Sequence, residues 1–92
     1  FNYLPPKLRL LRWDGYPMRR LLSSFCPQNL VKLQMRKSKL EKLWEGIQSL
    51  TGLKKMDLEE STNLKAIPDL SMATNLETLN LAYCSSLVEL PS

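Results

Sequence analysis

An α/β solenoid built on a short parallel sheet is the fold this sequence predicts, and three observations carry it. Leucines at positions 8, 30, 53 and 76 open four units that are 22, 23 and 23 residues apart. Within each unit the apolar residues fall at the same offsets. The fourth unit reads Leu76-x-x-Leu79-x-Leu81-x-x-Cys84, the third has Leu53, Met56, Leu58 and Ser61, the second Leu30, Leu33, Met35 and Ser38, and the first, more loosely, Leu8, Leu11, Trp13 and Tyr16. Two further apolar residues then recur ten to fourteen residues after each leading leucine. One such run is weak evidence, because about half of any globular chain is apolar; four in register are strong. The pattern is that of leucine-rich repeats, at 8–29, 30–52, 53–75 and an incomplete 76–92, after an N-terminal flank at 1–7.

The strand of each unit comes from the second and third apolar residues, which lie two apart and therefore point the same way. The inward set is Leu11 and Trp13, Leu33 and Met35, Met56 and Leu58, Leu79 and Leu81. The outward set is Arg12, Asp14, Gln34, Arg36, Asp57, Glu59, Asn80 and Ala82, with Lys37, Glu60 and Tyr83 beside them. Stacking sets the strands, expected to begin near Leu8, Leu30, Leu53 and Leu76, side by side in a parallel sheet. One face meets the core and the other stays open as the natural contact surface of a solenoid.

The return segments are irregular or briefly helical, anchored by Met18 and Leu21, Leu40 and Leu43, Leu64 and Ile67, Leu87 and Leu90. Unit two has one residue fewer than unit three between strand and return and recovers it later, which predicts a local change of curvature near Ser38 and Lys39. Asn29, Gly52 and Asn75 precede the leading leucines, and each tolerates the unusual backbone angles of a tight turn. Pro68 and Pro91 share one equivalent site and exclude a continuous helix there. Ile47 and Leu50, three apart, permit about two turns of weak helix after Gly46. Asn2 to Lys7, with Pro5 and Pro6, are placed to cover the first repeat; nothing after Pro91 covers the last, so the chain reads as cut from a longer solenoid.

Thirteen Lys and Arg against nine Asp and Glu give a net charge of +4, with no histidine. That balance is mild and dispersed, which argues against a nucleic-acid partner. No segment approaches about 18 consecutive apolar residues, so no membrane span is expected. Phe1 to Arg12 lack the charged-then-apolar order of a secretory signal. Cys26 and Cys84 form neither a disulfide framework nor a metal-ligand spacing, and Cys84 holds a turn position where a small side chain fits inside the stack. Both read as structural thiols in a reducing compartment.

The same residues exclude chemistry. There is no histidine for general-base work and no Gly-rich phosphate loop. Asp57, Glu59 and Glu60 are neighbours on an open face without a cleft to perturb them. No catalytic, metal or cofactor site is expected. Arg36 and Lys37 should face Glu59 and Glu60 one strand away, either as a self-neutralising ladder or as paired strips that orient a protein partner. Tyr83 presents an aromatic surface at the last strand, and Trp44 reads as packing against the adjacent repeat.

Several stretches carry a resemblance. L-L-R-W-D-G-Y-P at Leu10 to Pro17, N-L-V-K-L-Q-M at Asn29 to Met35, S-K-L-E-K-L-W-E-G at Ser38 to Gly46, I-P-D-L-S at Ile67 to Ser71 and C-S-S-L-V-E-L-P-S at Cys84 to Ser92 closely resemble the opening repeats of plant intracellular disease-resistance receptors. These are receptors with a TIR domain, a nucleotide-binding domain and leucine-rich repeats. The chain departs from their usual L-P-S at Leu21, Leu22 and Ser23. The resemblance implies a non-catalytic module, in the cytoplasm and nucleus, that recognises a pathogen effector or restrains the receptor by contacting its own nucleotide-binding domain. It also implies a receptor that exchanges ADP for ATP, homo-oligomerises when activated and cleaves NAD through its TIR domain; no residue for those chemistries lies in this chain. Trp13, Leu33, Met35, Met56, Leu58, Leu79 and Leu81 match the family's core sites. The outward set matches its variable sites. The alternative is a structural spacer that supports more distal effector-binding repeats.

Overall fold

Residues 7–21 and 25–88 are described by the computed structural model. Four short strands, β1 (Leu10–Arg12), β2 (Lys32–Gln34), β3 (Lys55–Asp57) and β4 (Thr78–Asn80), form one parallel sheet in the order β1-β2-β3-β4. The register joins equivalent repeat positions: Leu11, Leu33, Met56 and Leu79 lie in one row, and Arg12, Gln34, Asp57 and Asn80 in the next.

The strands start two residues after the leading leucines rather than at them. Leu30, Leu53 and Leu76 instead close a tight turn, each donating its N–H to the carbonyl three residues back, on Pro27, Leu50 and Ala73. Before Leu30 this turn is a short 3-10 helix over Pro27–Asn29, where proline supplies the helical φ and the missing N–H costs nothing.

Left-handed backbone, expected before the leading leucines, lies at the other end of the strands. Gly15, Lys37, Glu60 and Tyr83 have φ of 75°, 55°, 60° and 61°. Each is the eighth residue of its unit, where the chain leaves the strand and must swing the ninth side chain back into the stack. The backbone ladder runs through this rim: Gly15 donates to Arg36 O, Lys37 to Glu59 O and Glu60 to Ala82 O, all at 2.8 Å. Before the leading leucines, Asn75 serves instead through its side chain, donating Nδ2–H to Thr51 O at 2.7 Å.

The ninth residues, Tyr16, Ser38, Ser61 and Cys84, are all buried. The Tyr16 hydroxyl donates to Arg20 O at 2.8 Å. Ser61 Oγ lies 2.8 Å from Ser38 Oγ and donates to Met35 O at 3.2 Å. Cys84 repeats the second bond one unit on, its thiol donating to Leu58 O at 3.1 Å. Buried polar groups are thereby paired from unit to unit, as interiors require. Burial pushes the Cys84 thiol above its usual range.

The core runs through the middle units, where Leu30, Leu33, Met35, Leu40, Leu50, Leu53, Met56, Leu58 and Leu64 are wholly buried. Trp13 meets Tyr16 edge-on at 4.7 Å in unit one. Two expected core residues depart from this. Leu79, on the edge strand β4, and Met18, in a unit where Tyr16, Leu21 and Phe25 are buried, are each 38% exposed.

The returns stack through a second backbone ladder, Glu41 to Arg19 O, Lys65 to Glu41 O and Val88 to Lys65 O. The extra residue of units three and four is a turn, closed by Leu64 N–H on Ser61 O and Leu87 N–H on Cys84 O; unit two instead runs straight, with Lys39 N–H on Tyr16 O. The weak helix allowed after Gly46 does not form. Gly46 is left-handed and Ile47, 66% exposed, pairs with Asp69 in a parallel bridge. The expected cover at Asn2 to Pro6, and Leu22, Leu90 and Pro91, lie outside the described residues. Among the described residues no helix is long and apolar enough to cross a membrane.

Candidate functional site: the open face of the sheet

Strand alternation arranges the open face in columns that cross all four strands. Arg12, Gln34, Asp57 and Asn80 form one, and Asp14, Arg36, Glu59 and Ala82 the next. Lys37, Glu60 and Tyr83 stand on the left-handed rim beyond them. The same alternation adds a column outside the expected outward set: Leu10, Lys32, Lys55 and Thr78, in register one residue before the inward row. Its signal was present in the sequence, since Lys32 and Lys55 precede Gln34 and Asp57 by two.

Strand-to-strand bonds knit the centre of this face. Asp14 accepts from the Arg36 N–H at 3.0 Å and from Gln34 Nε2 at 3.2 Å. Arg36 reaches Asp57 Oδ2 with Nε at 2.8 Å and with Nη2 at 2.7 Å. The other oxygen of Asp57 takes the Glu59 N–H at 3.1 Å. Asn80 donates to Glu59 Oε1 at 3.1 Å and accepts from the Ala82 N–H at 3.0 Å. Arg36 therefore pairs diagonally with Asp57 rather than with Glu59. The Asp57 hydrogen bond and charge together raise the Arg36 guanidinium further.

This geometry sorts the expected contact residues. Arg12, Asp14, Arg36, Lys37, Ala82 and Tyr83 are exposed, with Tyr83 at 76%. Asp57, Glu59, Glu60 and Asn80 are half-buried. Gln34, expected open, is 7% exposed with its amide committed to Asp14, because it sits between two flanking strands at the middle of the sheet. Lys37 and Glu60 make no ion pair among the described residues, since the left-handed turn carries their side chains off the strand.

On the opposite side, Glu41 lies between Arg19 at 3.8 Å and Lys65 at 3.9 Å. Trp44 packs obliquely on Phe25 of the preceding repeat, with ring centroids 6.2 Å apart, beside a shallow cleft of about 400 Å³. Among the described residues no group of three His, Cys, Asp or Glu is placed to hold a metal. The open face offers charge, hydrogen bonds and one large ring on a rigid sheet, a set suited to recognising protein.

The profile of the Leucine Rich Repeat family matches residues 29–48. The chain also aligns with disease-resistance proteins of Arabidopsis thaliana at 57–71% identity. It is 71% identical to Disease resistance protein RPS6 over 92 residues, all of this chain and 8% of that protein. It is 61% identical to Disease resistance protein RPP4 over 90 residues, 98% of this chain and 8% of that protein. With Disease resistance-like protein DSC2 it shares 58% over 91 residues, 99% of this chain and 8% of that protein. The chain thus spans less than a tenth of the length of these relatives. Residues 29–48 thus match a leucine-rich repeat, and the chain as a whole is similar to one segment of these disease-resistance proteins.

Proposed function

We propose that this chain is the protein-interaction and autoinhibition module of a plant intracellular immune receptor, and that its open sheet face contacts a pathogen effector or the receptor's own nucleotide-binding domain. The observation that carries the reading is the rim. Lys37, Glu60 and Tyr83 hold left-handed backbone that unit one fills with Gly15. A non-glycine residue there costs about 1 kcal/mol, and such strain concentrates where side chains have work outside the fold. Among the described residues the two charges have no ion-pair partner and the ring is largely exposed, so the fold itself gains little from them. A tyrosine beside small Ala82 supplies contact area at low entropic cost.

A second reading, a spacer for distal repeats, draws on the Asp14–Arg36–Asp57 bonds, which neutralise part of the face internally. The test replaces Lys37, Glu60 and Tyr83 together by Asn, a residue that tolerates the left-handed turn, in the full-length receptor. Weakened effector binding or raised resting activity with folding intact is expected. Unchanged affinity and unchanged resting activity would reject contact in favour of the spacer.

A further inference from the structure

Lys32 and Lys55 are register partners on adjacent strands, so their backbones lie about 4.8 Å apart. Both belong to the open-face column that ends at Thr78, and like charges directly opposite in a sheet are destabilising. Arg12, exposed on β1, stands one column further on. Among the described residues none of these three cations makes an ion pair. Three of the carboxylates that share the face are already engaged: Asp14 by Gln34 and the Arg36 N–H, Asp57 by Arg36 and the Glu59 N–H, and Glu59 by Asn80; Glu60 stands at the far rim, beyond the opposite end of the strands. The open face at β1 to β3 therefore carries three cations that make no ion pair among the described residues, while Asp14, Asp57 and Glu59 beside them are tied to other groups.

We propose that Arg12, Lys32 and Lys55 form a docking site for an acidic polypeptide segment whose carboxylates are spaced to meet neighbouring strands. The inference rests on the open face being a contact surface and assigns the chemistry of what it contacts. Leu10, 55% exposed, opens the same column and offers an apolar shoulder that a peptide side chain covers and a bare phosphate does not. Nucleic acid fits the site poorly. None of the three columns carries an aromatic ring on which a base would stack, and Asp14, Asp57 and Glu59 flank the track that a polyphosphate chain would follow.

The test measures fluorescence anisotropy of a labelled hexaglutamate peptide on this chain, with labelled oligothymidylate of equal length as the competing polyanion and circular dichroism reporting the fold. Lys32→Gln with Lys55→Gln should weaken peptide binding about tenfold or more and leave the unfolding midpoint unchanged or raised, because a like-charge pair has been relieved. Lys39→Gln with Lys42→Gln, exposed on the return, removes the same charge and should change affinity by less than about twofold. No peptide binding by the unaltered chain, no loss on neutralising Lys32 and Lys55, or equal loss in both double variants overturns the site. Tighter oligothymidylate binding that is lost with Lys32 and Lys55 overturns the choice of polypeptide. Loss of peptide binding on Arg36→Gln but not on neutralising Lys32 and Lys55 removes the proposed site while leaving the broader contact face standing.

Discussion

Ser61→Ala removes one oxygen atom, yet it should destabilise the chain as much as the loss of a core leucine. Ser61 is 0% exposed, and its hydroxyl makes three hydrogen bonds to two residues. It donates to Met35 O, accepts from Ser38 Oγ at 2.8 Å and receives the Ser38 N–H at 3.3 Å. Alanine fits the space but leaves the buried Met35 carbonyl and the buried hydroxyl and N–H of Ser38 without that partner. Each such group costs about 1 to 3 kcal/mol, so the sum is about 2 to 4 kcal/mol with partial relaxation. A chain of this size unfolds in urea with a slope of about 1 to 1.5 kcal/mol per M, which places the midpoint about 2 M lower. Trp13 and Trp44 supply the fluorescence signal. Ser61→Cys should retain most of the stability, because Cys84 fills the equivalent position and donates to the equivalent carbonyl. An alanine variant that unfolds at the wild-type midpoint, or a cysteine variant as weak as alanine, would refute the role given to this hydroxyl.

Leu58→Ala, at a wholly buried position, should cost about 2 to 5 kcal/mol through the cavity it leaves; an unchanged unfolding midpoint would contradict its inward placement. Glu60→Gly should be near neutral, relieved strain offsetting the freer unfolded chain, whereas Glu60→Val should lose about 1 to 2 kcal/mol because a β-branched residue resists positive φ; chemical denaturation of the pair checks the order. Burial raises the folded-state pKa of Cys84 and of Tyr16 above their ordinary 9.0 and 10.0. Their neutral forms therefore favour the folded state: this contribution is complete below about pH 9 and is lost as the pH climbs through the raised values. Midpoints measured from pH 7 to 11 should fall at the alkaline end, less steeply in Cys84→Ser; a flat profile would contradict the assignment.

What the sequence made legible was whatever repeats. Leucine spacing located the four strands, their parallel order and the burial of Leu33, Met35, Met56 and Leu58, because each of those positions recurs and sits in the same layer. Departures appear where the repeat is interrupted or incompletely stacked. Leu79 has the right spacing and is 38% exposed on the edge strand β4. Met18 has the right spacing and stays exposed while Tyr16, Leu21 and Phe25 are buried. Ile47 and Leu50 have helical spacing, but Gly46 turns the chain left-handed and the interstrand bridge to Asp69 takes over. Side-chain partners on the open face were harder still. Register alone pairs Arg36 with Glu59, while the reach of a guanidinium selects Asp57. The Lys32 and Lys55 column precedes the second leucine of L-x-x-L-x-L, outside the spacing that marks the strand, although alternation extends equally to that residue.

Adjacent units are joined by main-chain bonds in three places: along the strands, at the left-handed rim and across the returns, where Arg19, Glu41, Lys65 and Val88 succeed one another. Each of those bonds uses groups that every non-proline residue possesses. Side chains on the open face that make no strand-to-strand bond, Arg12, Lys37, Lys55 and Tyr83 among them, are thus released from holding the stack together and can be exchanged for others of different charge or size while the frame persists. Such a frame separates what must stay constant from what is free to diversify, so a new recognition surface can arise by successive single substitutions, each passing through a folded intermediate.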